Sequence, residues 1–280
     1  IDIIIWSCLM KNNFRLELSF KDLSQLEKKI QFCIKNNIQN LNIPCKGKIK
    51  KDFLLNTVKF IGENYNYLNI VYHYSLFHQY SMNVSESYKS LLSFLQLCKL
   101  YNNIEILLVS GSTKKHKFDV LVVLNKLKND LKLDINIGVV YNPYFPDQDS
   151  IKNERERLEE KLSSGLINSI WLQAGSDLDS LRKETKFIKF LLNKFSTEGK
   201  KYSLYGSLFI PSKQFIARFK FRPWKEVFIS SDYLNSLEKA NLITKNINNF
   251  YLKNKILPLI ESECCSDNQL ENLLKMIRNK

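Results

Sequence analysis

The stretch "IEILLVSGSTKKHKFDVLVVLNKLKNDLKLDINIGVVYN", residues 104–142, holds a complete strand–helix–strand unit. "IEILLVSG" is an apolar run that ends in a small-residue turn, the signature of a buried strand. Residues 118–131 carry their apolar side chains at helical spacing, and "INIGVVYN" (135–142) is a second strand of the same kind. Strand, helix, strand in that order is the unit of a parallel α/β sheet.

The same alternation runs outward in both directions. Upstream, "FRLELSF" (14–20) puts Phe14, Leu16, Leu18 and Phe20 on one face and Arg15, Glu17 and Ser19 on the other. A helix follows with Leu23, Leu26, Ile30 and Ile34 on one stripe, then a strand at "IQNLNIP" (38–44) and a helix at "FLLNTVKFIGENY". "LNIVYHYS" (68–75) is the third strand and 84–101 the helix after it, with Leu91, Leu92, Leu95 and Cys98 aligned. Downstream, "IKNERERLEEKLSSG" is a charged helix. Its like-charged i,i+4 pairs, Glu156–Glu160 and Arg157–Lys161, leave its stability to packing, and Gly165 is placed as its C-terminal cap. Strands at "SIWLQAG" (169–175), "YSLYGSLFIP" (202–211) and "ILPLIE" (256–261) are separated by helices over 178–195 and 232–252, and a last helix covers 268–278.

Eight strands alternating with helices, in one composition regime, predict a single (β/α)8 barrel. A doubly wound sheet is the alternative, and the count closing at eight favours the barrel. "RFKFRPWKEVFIS" (218–230) does not fit the repeat and reads as an insertion after the seventh strand. The barrel is expected over 12–280. Residues 1–11 read as a non-native or disordered extension, with Met10 as the expected start.

With 44% hydrophobic and 25% charged residues, the composition is that of a globular protein. The net charge of +14 raises nucleic acid or a membrane surface as partners. The charge is mostly lysine scattered along the chain, without a basic block or a nucleic-acid motif, so nucleic acid is not expected. No apolar run approaches the roughly 18 residues of a membrane span. Six scattered cysteines without a Cys-x-x-Cys pair, and three histidines, argue against a disulfide or zinc framework. They point to a reducing compartment such as the cytoplasm.

In this fold the site is built from the loops at the C-terminal ends of the strands. Here those ends are Glu17 and Ser19, "PCKGK", "YHYS", "SGSTKKHK", "YNPYFPD", "QAGSD", "FIPSKQ" and Glu261. Glu17 is either an acid–base group or a structural partner of Arg15. His73 is a core histidine or a ligand contact. Gln173, between Leu172 and Ala174, needs partners within a network or on a ligand. Lys114, Lys115 and Lys117 follow a Ser110-Gly111-Ser112 turn into a helix, where free N–H groups attract anions; the alternative is solvated charge. Tyr141, Tyr144 and Trp171 are core or lid aromatics, or the walls for a planar ligand.

In their order and spacing, "VYHYS", "ILLVSGS", "IGVVYNPYFPD", "RLEEKLSSG" and "IWLQAGSD" resemble the methylenetetrahydrofolate reductases, flavin-dependent TIM barrels, from about residue 12 to the C-terminus. The resemblance implies an FAD-dependent oxidoreductase of one-carbon metabolism. FAD would take a hydride from NAD(P)H and pass it to a reduced folate. It implies Glu17 as general acid and Gln173 as a catalytic residue meeting folate and nicotinamide. It implies His73, Ser110, Gly111, Ser112, Lys114, Lys115 and Tyr141 around the flavin, and Tyr144 and Lys213 at the substrate. A homo-oligomer is compatible with it. The alternative is a non-reductase barrel that binds a folate or another anionic ligand. Where the family has Arg-Gly-Asp, this chain has Ser110-Gly111-Ser112.

Overall fold

The computed structural model describes residues 13–45, 51–110, 118–129, 134–197 and 200–277. The extension expected at residues 1–11 lies outside them. Eight parallel strands close on themselves in sequence order, β1 pairing with β8: β1 Arg15–Glu17, β2 Asn40–Ile43, β3 Asn69–Ser75, β4 Ile104–Val109, β5 Asn136–Tyr141, β6 Ile167–Leu172, β7 Ser203–Leu208 and β8 Leu257–Ile260. The (β/α)8 barrel is therefore the fold. The described helices are α1 Leu23–Lys35, α2 Lys51–Asn64, α3 Val84–Cys98, α4 Val120–Asn129, α5 Gln148–Ser163, α6 Leu178–Lys194, α7 Lys213–Phe221, α8 Ser231–Asn235, α9 Leu237–Lys253 and α10 Asp267–Ile277. Among the described residues no helix is long and apolar enough to cross a membrane.

Alternation along each strand makes two cores. The outward faces, such as Leu16, Leu41, Tyr72, Ile106, Val139 and Ile170, pack under the helices in one large apolar cluster. The inward faces form a smaller cluster of Val71, Leu107, Trp171 and Leu259, against which Val109, Val140 and Tyr205 pack. The inner layer includes charge. The buried Arg15 guanidinium lies 5.8 Å from the Trp171 ring and 5.7 Å from that of Tyr205. Those two rings stack at 3.9 Å and 16°. Gly138 belongs to the same layer: a Cβ there would meet Ser169, Trp171 and Glu105. The small residue on β5 is what admits the indole of β6.

Element boundaries differ from the sequence expectation in ways that packing explains. The sixth strand starts at Ile167, two residues before the expected 169, because the chain turns straight out of α5. Gly165, at φ 77°, donates its N–H to the Leu162 carbonyl at 3.1 Å and ends that helix as expected. Helix α5 is held by Leu158 and Leu162 and by partners on neighbouring elements: Arg157 reaches Asp119 at 3.0 Å and buried Lys161 donates to the Val140 carbonyl at 2.9 Å. The helix expected over 232–252 is two helices. Ser236 is extended and its side chain accepts from the Lys239 N–H, which breaks α8 from α9 and caps the latter. The insertion expected at 218–230 begins earlier, as α7. It returns to the barrel through a bridge between Phe228 and Gly175.

Candidate functional site

A cavity of about 490 Å³ opens at the C-terminal mouth of the barrel. Its floor is apolar (Leu107, Val109, Val140, Trp171, Leu259), and Glu17, His73, His78, Gln173 and Glu261 stand around it. The strands place these groups by parity. On β1 the inward positions are Arg15 and then Glu17; on β8 they are Leu257 and Leu259, and Glu261 follows. The register pairs Leu16 with Ile260 at the end of β8, and Glu17 and Glu261 are the residues that follow. Two carboxyl groups, one ending β1 and one just after β8, thus line one cavity.

Glu17, 5% exposed, is the more buried of the two. His73 Nδ1 lies 3.9 Å from Glu17 Oε2. Behind His73 the polar chain continues downward. Arg15 Nε donates to Asn42 Oδ1 at 2.6 Å, and Asn42 Nδ2 stands 2.9 Å from His73 Nε2. A guanidinium only donates, so the Asn42 oxygen must face it and the amide N–H₂ must face the imidazole. His73 Nε2 then accepts, and the neutral ring carries its proton on Nδ1, toward Glu17. Arg15 also donates to the Leu41 and Asn69 carbonyls, at 2.8 Å each. Burial pushes its pKa down, opposed by Tyr205 and Glu105. On the opposite wall Glu105 accepts from Ser169 and, at 3.0 Å, from the Trp171 indole, which fixes the floor.

Other expected site residues are placed elsewhere. Glu17, His73 and Gln173 line the one cavity, and the Gln173 side chain accepts from the Ala174 N–H at 3.2 Å. The side chain of Ser110 accepts from the Val120 N–H at 3.2 Å and serves the start of α4. Gly111, Ser112, Lys114, Lys115 and Lys117 lie outside the described residues. Tyr141 has outward parity on β5. It is 1% exposed and its hydroxyl donates to Glu184 at 2.5 Å, while Arg155 forks onto the same carboxylate at 2.9 and 2.6 Å. Tyr144 is buried with its ring against Gly175. Tyr141 ties two helices to the barrel through Glu184 and Arg155, and Tyr144 fills the space beside the loop after β6. Lys213 is exposed on the first turn of α7. The carboxylate of Glu261 is the member of the site that the sequence signalled only as a strand end. The period-two run Leu257, Leu259, Glu261 carried the information that it points inward. His78 and Trp224, also on the cavity wall, carried no periodic signal. Among the described residues no group of three or more His, Cys, Asp or Glu could hold a metal ion.

No protein-family model matches the chain, and no curated protein matches it. Solved structures do. The catalytic domain of a hyperthermophilic chitinase from Pyrococcus furiosus is 9% identical with a TM-score of 0.49, over 90% of this chain and 84% of that one. Active domain 2 of thermostable chitinase from Pyrococcus furiosus, as catalytic-site mutants complexed with chito-oligosaccharides, is 9% identical with a TM-score of 0.50, over 88% and 82%. Concanavalin B is 9% identical with a TM-score of 0.46, over 95% and 98%. At this identity the likeness is one of fold. These findings overturn the resemblance to methylenetetrahydrofolate reductases, and with it the flavin-dependent reduction of a folate. No model of that family or any other matches, and a similar barrel, at a TM-score of 0.50, is a chitinase domain. The motifs behind the resemblance are short strand ends and turns, such as any parallel barrel needs at eightfold intervals. Two of the aromatics assigned to flavin and substrate are buried elsewhere, Tyr141 with its hydroxyl on Glu184 and Tyr144 with its ring against Gly175.

Proposed function

We propose that the barrel mouth binds a carbohydrate chain and cleaves its glycosidic linkage by acid–base chemistry, with Glu17 and Glu261 as the two carboxyl groups. The observation that carries this reading is that the two carboxyl groups, one at the end of β1 and one just after β8, line a single apolar-floored cavity. Glycoside hydrolysis needs one carboxyl to protonate the leaving oxygen and a second to act at the anomeric carbon or on water. Glu17, the more buried of the two beside His73, takes the role of proton donor: it protonates the leaving oxygen and regains a proton from water. Glu261, less buried, takes the carboxylate role. Gln173, Ser75 and Ser207 supply hydrogen bonds for sugar hydroxyls.

The structural likeness to a chitinase domain solved with chito-oligosaccharides makes those oligomers the first probe. Release of new reducing ends from chito-oligosaccharides, or of aryl alcohol from an aryl β-glycoside panel, is the expected result. Glu17→Gln and Glu261→Gln should each lower kcat by roughly 10²–10⁴-fold while oligomer binding persists. A wild-type protein that neither cleaves nor binds any member of the panel would rule the reading out. Binding without cleavage would remove the hydrolytic part and leave a carbohydrate-binding barrel.

A further inference from the structure

Beside the mouth lies a second and larger cleft, about 770 Å³, between α7, α9, α10 and the end of β8. The geometry points to one continuous groove, so that the ligand is an extended oligosaccharide running from the barrel mouth into this side cleft over the indole of Trp224. The inference rests on the carbohydrate reading of the mouth and adds the length and path of the ligand. Each cavity is within the ~300–1,000 Å³ of a ligand site on its own. Trp224 and Glu261 line both, so a chain with its reacting linkage at Glu261 has a wall in common with each.

Trp224 is suited to this by how it is held. Phe209, Phe215 and Phe219 meet its ring edge to face, with centroids at 5.1, 5.7 and 5.9 Å and interplanar angles of 66°, 76° and 71°. Three rings brace the indole, yet it remains 43% exposed. A rigid aromatic left in water between two cavities offers a flat apolar platform with little conformational entropy to lose. Beside the charged Arg218, Lys245, Glu263 and Lys275, the side cleft offers groups that suit a hydroxyl-rich chain. The amides Gln214, Asn241, Gln269 and Asn272 can both donate and accept.

Calorimetric titration of the full chain with the dimer and hexamer of β-1,4-linked N-acetylglucosamine tests this. The wild type should bind the hexamer at least tenfold more tightly than the dimer. Trp224→Ala should remove most of that advantage. Leu242→Arg, on a side-cleft residue that is 60% exposed and free to change without unfolding α9, should weaken the hexamer and leave the dimer within twofold. Equal wild-type affinities for dimer and hexamer, or a hexamer advantage that survives both substitutions, would overturn the extended groove while sparing the mouth. Absence of binding by either oligomer would overturn the groove together with the reading beneath it.

Discussion

At Asn42 one amide group decides the chemistry of the mouth. It is 0% exposed and stands between a guanidinium that can only donate and an imidazole nitrogen that must therefore accept. The consequence is a particular tautomer of His73, observable without any substrate. Ring-nitrogen NMR of His73 should show a protonated Nδ1 and a bare Nε2. Asn42→Asp puts a carboxylate against both neighbours; it accepts from Arg15 and from an Nε2–H, so the tautomer should invert and leave Nδ1 bare toward Glu17. An unchanged tautomer in that variant would show that Asn42 does not position the ring. Asn42→Leu should instead cost about 1–3 kcal/mol of stability, because a buried Arg15 N–H loses its acceptor. Little of this was legible beforehand. Alternation along "FRLELSF" put Arg15 and Glu17 on one face, and His73 stood at the end of its strand. The partner of Arg15, however, comes from 27 residues away on β2. Cross-strand pairing of that kind is set by register, and nothing local in "LNI" announces it.

Elements were far more legible than their ends, because periodicity reports which face is buried while termini depend on caps and on tertiary partners. The break between α8 and α9 turns on one serine side chain. The α7 segment was missed as a helix because its apolar face packs with Trp224 and Tyr233 in a small cluster of its own, away from the barrel repeat. Two glycines separate the two reasons an element can require that residue. At Gly165 a Cβ would have nothing within 4 Å, so Gly165→Ala suffers only from the left-handed backbone, at φ 77°. The cost should be about 1–2 kcal/mol, read by denaturant unfolding. At Gly138 the constraint is space inside the barrel, since a Cβ would displace the Trp171 indole and its partners Ser169 and Glu105. Gly138→Ala should cost about 1–3 kcal/mol and also change the Trp171 environment, seen as altered near-ultraviolet circular dichroism. A Gly138→Ala variant with an unaltered spectrum would mean that the floor of the mouth is not built as described.

The whole molecule was legible as a barrel because strand count and alternation are global properties, repeated often enough to survive errors at single elements. Its function was not, because a family likeness assembled from turns that every such barrel contains carries little about the mouth. One further global property is the pH window of stability, and its two edges have different causes. Asp147 and Asp177 cap α5 and α6, and hydrogen bonds from the first helical turns hold both carboxylates below the usual range; burial opposes the effect at Asp177. Lys29 does the same for Glu263. A carboxyl whose folded pKa is depressed contributes stability that is whole above its unfolded value, about 4, and is lost as pH falls through the folded one. Acidification also adds charge to a chain already at +14. At the other edge burial pushes Cys33 and Cys264 up to about 12 and Tyr233 likewise to about 12. These acids are neutral when folded. Their contribution is therefore complete below the unfolded thiol and phenol values, near 8.5 and 10, and drains away as pH rises from there toward 12. Thermal unfolding across pH should accordingly give a plateau from about pH 5 to 8, a fall in Tm below about pH 4 and another above about pH 9. Replacing the two buried thiols together, Cys33→Ala with Cys264→Ala, should lower the plateau through lost packing and flatten the alkaline fall. An alkaline fall of unchanged steepness in that double variant would remove the buried thiols as its cause.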